Sequence, residues 1–121
     1  MYTSLAAVAA VMLSCLFGGE ASSSLSAPKN VVATTGMVGD VVQAVGGDTV
    51  TVNVLIGEGV DPHLYRPRAS DVRAILNADA VFYNGLHLEG RMGEVLERAS
   101  ARGREVVAIA EVIPKDKHLT F

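Results

Sequence analysis

Cysteine is almost absent from this 121-residue chain; the single copy is Cys15, so no internal disulfide is possible. An excess of one charge sign is absent as well. Ten Lys and Arg stand against thirteen Asp and Glu, giving a formal net charge of −3 without a basic patch. That balance gives no reason to expect a nucleic-acid partner. The short signatures of catalysis are missing too: there is no Gly-x-Ser-x-Gly, no His-Glu-x-x-His and no Cys-x-x-Cys. The Thr34-Thr35-Gly36 turn could cradle an anion at a helix N-terminus, yet it lacks the full Gly-rich phosphate signature, which argues against a nucleotide site. Finally, no Lys or Arg precedes Lys29. An export signal ordinarily opens with one, so the true start is expected upstream, or the sequence is partial.

What is there begins with an apolar run at residues 4–18, too short for a membrane span and the right length for the apolar region of an export signal. It inflates the 50% apolar fraction of the whole chain. Met12-Leu13-Ser14-Cys15 loosely resembles a lipobox, in which Cys15 would become the lipidated first residue; cleavage near Ala21 or Ala27 is the alternative. Residues 20–29 are polar and small, as in a flexible tether. The chain therefore divides into an export signal with tether at 1–27 and one body at 28–121, expected outside the cytoplasm, either periplasmic or held to a membrane by its signal or a lipid anchor.

The body alternates strand and helix patterns. Strands are expected at 30–34, 50–55, 80–83 and 106–110; residues 80–83 are continuously apolar, as in a strand covered on both faces. Helical spacing of apolar residues occurs at 37–45, at 70–76 with Ser70 as N-cap, and at 92–99. Met37 and Met92 lie on these stripes and are expected in the core. Four strands alternating with three helices predict an α/β fold: a four-stranded parallel sheet flanked by helices, whose ligands bind beyond the carboxyl ends of the strands. Residues 34–36, 57–71, 84–89 and 111 onward fall on that edge.

One of these loops carries most of the chemistry. Residues 57–71 place His63 after a stiff Asp61-Pro62 step, among glycines and acidic residues. Proline removes freedom that metal binding would otherwise have to freeze, and a nearby carboxylate can orient the imidazole. His87 lies on a neighbouring loop of the same edge. Glu89 reads as a charge at a helix N-terminus, and His118, beside Lys115-Asp116-Lys117, as a solvated residue.

Gly57-Glu58-Gly59-Val60-Asp61-Pro62-His63-Leu64-Tyr65 resembles the first metal-ligand loop of the TroA-like metal-binding proteins, the substrate-binding subunits of bacterial ABC transporters for zinc, manganese and iron. Thr35-Gly36-Met37-Val38-Gly39-Asp40, Tyr83-Asn84-Gly85-Leu86-His87-Leu88-Glu89 and Glu111-Val112-Ile113-Pro114 fit the same family in the same order, so the resemblance covers about residues 30–121. It implies one lobe of a two-lobed solute-binding protein, the carboxyl-terminal lobe being missing. It implies His63 as a metal ligand, with His87 and Asp61 lining the cleft or supporting the ligand, and the remaining ligands beyond Phe121. The site in this chain would then be incomplete and its affinity for zinc, manganese or iron weak. The implied function is extracytoplasmic capture of a divalent transition metal for an ABC permease, by a monomer that is not an enzyme. Two alternatives share these residues: a metal-binding surface lipoprotein or adhesin, and a metal-dependent hydrolase using His63 and His87 as ligands with Glu89 as base.

Overall fold

The computed structural model describes residues 26–117. The apolar run at 4–18, Cys15 and His118 lie outside them. The elements are β1 (Lys29–Thr35), α1 (Gly36–Gly46), β2 (Val50–Ile56), α2 (Ala69–Asn77), β3 (Ala80–Tyr83), α3 (Met92–Ala101), β4 (Val106–Ala108) and a single helical turn, α4 (Ile109–Val112). Short 3-10 turns occupy Gly47–Thr49 and Lys115–Lys117.

All strand pairs are parallel, in the order β2-β1-β3-β4. Alternation along β1 sends Val32 to one face and Val31 and Ala33 to the other. Val32 and Val81 pack under Ile75 of α2 and Met92, Leu96 and Ala99 of α3. Val31 and Ala33 pack under Val38 and Val42 of α1, with Val50, Val52, Phe82 and Ile109 at the margins. This is the four-stranded parallel α/β lobe that the alternating pattern predicts. Its edge strand β2 alternates half-buried Val50 and Val52 with exposed Thr51 and Asn53, while Val54 is exposed and Ile56 is buried.

Three expectations need correction. Met92 is in the core at 0% exposure, but Met37 is 66% exposed. Helix α1 carries two adjacent apolar rows, and the row of Val38 and Val42 meets the sheet while the row of Met37, Val41 and Val45 does not. The fourth strand ends at Ala108 rather than Ala110. Its one partner, β3, ends at Tyr83, which pairs with Ala108. One further backbone bond follows, from the Ala110 amide to the Asn84 carbonyl at 2.9 Å, but residues 109–112 already wind into a turn. Helix α2 starts one residue earlier than Ser70. Ser70 sits inside the first turn, and Asp71 does the capping: its Oδ2 accepts from the Arg68 amide at 2.7 Å.

Candidate functional site

The strand order reverses between β1 and β3, and in such sheets the crevice at the carboxyl ends of those two strands is the ordinary ligand position. Here the crevice is filled from within. Glu89, 2% exposed, accepts from the Thr34 hydroxyl at the end of β1 (2.8 Å), from the Asn84 amide just after β3 (2.6 Å), and from the Gly85 amide (3.1 Å). Thr34 itself is wholly buried. A carboxylate taken out of water at this depth requires such partners, and it has three. The expectation of a charge serving a helix N-terminus is therefore corrected: Glu89 accepts from Thr34, Asn84 and Gly85. The signal for it was indirect: two amides at a Gly turn near the sheet edge need an acceptor, and a carboxylate four residues on can reach back to them.

The His63 loop follows β2. Asp61 Oδ1 accepts from the His63 amide at 2.9 Å, and the Leu64 amide donates to the Asp61 carbonyl at 3.3 Å. This turn, built over Pro62, fixes the backbone that carries an exposed imidazole. The Asp61 carboxylate thus holds the main chain at His63. The far end of the loop is anchored where the Tyr65 hydroxyl donates to Asp71 Oδ2 at 2.8 Å. Burial, and then the hydrogen bond and charge of Asp71, push the Tyr65 phenol above its usual range, against a smaller opposing pull from Arg68.

The loop after β3 is sharply wound. Leu86 (φ 52°) and His87 (φ 65°) both take left-handed conformations, between Gly85 (φ 84°) and Gly90 (φ 47°). Such backbone at non-glycine residues costs free energy and persists where surrounding contacts hold it. The Gly85 amide on Glu89 and the Leu88 amide on the Gly85 carbonyl (3.1 Å) supply those contacts. His87 is exposed at the rim of a cavity of about 220 Å³ that also involves Tyr83, Glu89, Glu94, Glu97 and Glu111. Burial first, then the negative charges of Glu111, Glu89 and Glu97, raise the Tyr83 phenol above its usual range.

The two histidine loops touch through the backbone. A methyl group placed on Gly90 would lie 2.3 Å from the His63 carbonyl oxygen and 3.3 Å from its Cα. Among the described residues, no group of three or more His, Cys, Asp and Glu side chains is arranged to hold a metal ion. The imidazoles of His63 and His87 are both exposed, and a closed shell of four or more donors is not present among those residues.

The fold is a parallel α/β lobe with its longer loops gathered at the carboxyl edge, the place where such sheets bind ligands, and a histidine stands there on a proline-stiffened turn. The sequence profile of ZnuA, zinc-uptake complex component A periplasmic, matches residues 31–120, and the chain belongs to that family. It is 45% identical over 87 residues to the manganese-binding lipoprotein MntA of Bacillus subtilis, covering 72% of this chain and 28% of the relative. It is 46% identical over 91 residues to the zinc-binding protein TroA of Treponema pallidum, covering 75% and 29% respectively. The solved structure of that periplasmic zinc-binding protein superposes with a TM-score of 0.70, covering 78% of this chain and 34% of the other. An iron ABC transporter substrate-binding lipoprotein of Streptococcus pyogenes, MtsA, is 42% identical over 59 residues, covering 49% of this chain and 19% of the relative. The chain thus spans less than a third of the length of these curated relatives.

Proposed function

We propose that this chain is a metal-capture lobe of an extracytoplasmic solute-binding protein, with His63 the ligand it contributes and a divalent transition metal the cargo delivered to an ABC permease. The observation that carries the reading is the His63 loop itself: an exposed imidazole whose backbone is pinned by Asp61, at the carboxyl edge of a sheet that belongs to a zinc-uptake family. No covalent bond of a substrate is made or broken in such a task; the protein exchanges the ion's water ligands for its own donors and later releases the ion. Relatives named for manganese, zinc and iron support a transition metal as cargo, and imidazole is a suitable donor for it. His87 lines the cleft beside the ligand. The lipoprotein names of several relatives support Cys15 as an anchoring residue on an export signal at 1–27.

The test joins this chain to the residues that follow the matched segment in the T. pallidum protein and titrates zinc and manganese calorimetrically. His63→Ala is expected to lower affinity by at least about tenfold, the scale of one lost ligand contact. His87→Ala is expected to change it by less than about threefold. Equal losses would remove His87 from its supporting position and make it a ligand.

A further inference from the structure

We propose that Glu89 and Gly90 form a platform that sets the position of the His63 loop over the sheet edge, making Glu89 a positioning residue for metal capture. The purpose assigned to the platform rests on His63 as the ligand; its mechanics do not. Glu89 is locked to both central strands through Thr34, Asn84 and Gly85. The next residue, Gly90, is fixed by that lock and by its own amide, which donates to the His87 carbonyl at 3.3 Å. The main chain of His63 lies directly against Gly90, too close for any side chain there. A continuous path of contacts therefore runs from the buried sheet end to the backbone of the histidine.

The imidazole is exposed, and the loop that carries it has few buried contacts of its own. The turn through Asp61 stiffens it internally, and Tyr65 on Asp71 anchors its far end. Gly90 adds a constraint at His63 itself. Binding strength in a multi-donor site depends on donors that are already in place, so a loop free to drift would lose affinity with its ligand intact.

The experiment uses the full chain, labelled for NMR, as wild type, Glu89→Gln and Gly90→Ala. It reads backbone order parameters at residues 61–65, the proton Overhauser contact between Gly90 and His63, and amide exchange at Val32 and Val81. In Glu89→Gln the amide end of the new side chain faces a donor, and the lock loosens. Order parameters at 61–65 are expected to fall from about 0.85 towards 0.6, and the Overhauser contact to weaken, while Val32 and Val81 stay protected. In Gly90→Ala the side-chain lock of Glu89 is kept, but the methyl meets the His63 carbonyl and the left-handed backbone at Gly90 is strained, so residues 61–65 and 87–91 are expected to shift while Val32 and Val81 stay protected. A His63 loop unchanged in both variants would overturn the platform, as would loss of protection at Val32 and Val81 in step with the loop. Zinc chloride titrated against the His63 ring resonances of the wild type runs alongside. A ring that ignores millimolar zinc would refute His63 as a ligand, and the platform would still stand or fall on the loop measurements.

Discussion

Replacing Thr34 by Val keeps the shape of a side chain that is wholly buried and removes its hydroxyl. That hydroxyl donates to Glu89 at 2.8 Å. A hydrogen bond to a carboxylate is worth about 1.5–3 kcal/mol. The carboxylate keeps its two amide donors, so it is weakened rather than orphaned. The added methyl group returns about 0.8 kcal/mol of apolar burial. The balance is a loss of about 1–2 kcal/mol, a sizeable share of a small domain's ~5–15 kcal/mol. In thermal terms that is a fall in Tm of about 4–15 °C. Urea unfolding followed by circular dichroism measures it. A double-mutant cycle with Glu89→Gln isolates the pair and is expected to give a coupling of about 1 kcal/mol or more. Full stability in Thr34→Val, with a cycle additive to within about 0.3 kcal/mol, would refute the role given to this hydrogen bond.

Gly46 has ordinary helical angles, but a methyl group there would lie 2.4 and 2.9 Å from the two methyls of Val50. Gly46→Ala is expected to destabilise by about 1–2 kcal/mol despite the better helix former, and a neutral result in urea would count against this packing. Asp71→Ala removes the acceptor for Arg68 and Tyr65 and should cost about 1–3 kcal/mol, with faster tryptic cleavage after Arg68; unchanged cleavage would refute the anchor. Tyr65 and Tyr83 titrate above the ordinary value of 10.0 in the folded chain. Their contribution to stability is therefore full below pH 10 and declines as pH rises through the higher folded values, which urea midpoints and tyrosinate absorbance across pH 9–12 can follow. A midpoint that rose over that interval would reverse the sign.

The strands and helices were legible because each obeys its own period. Residues 50–54 alternate, Ala80–Tyr83 is apolar throughout, and α3 repeats its apolar residues at helical spacing. The ends were less so. Ala110 still donates to the Asn84 carbonyl but lies in a helical turn, and the apolar run at 106–110 does not mark that change of backbone. Met37 looked like Met92 because periodicity identifies an apolar row without saying which of two adjacent rows meets the sheet. The His63 loop was readable from Asp61-Pro62-His63, since a proline-stiffened turn is local chemistry. Glu89 was not. Its burial depends on Thr34, 55 residues away in sequence, and no local pattern encodes that meeting.

The crevice between β1 and β3 is, in effect, a receptor already occupied by a tethered guest. Parallel α/β sheets commonly seat anionic cofactors at this position. A free phosphate or carboxylate arriving here would compete with a carboxylate of the same polypeptide, held at the high local concentration that covalent attachment confers. The lobe has thus silenced the anion preference of its own architecture. The main-chain amides at this end of the sheet are spent on Glu89, and what stands above them toward solvent is side chain, the exposed imidazoles included.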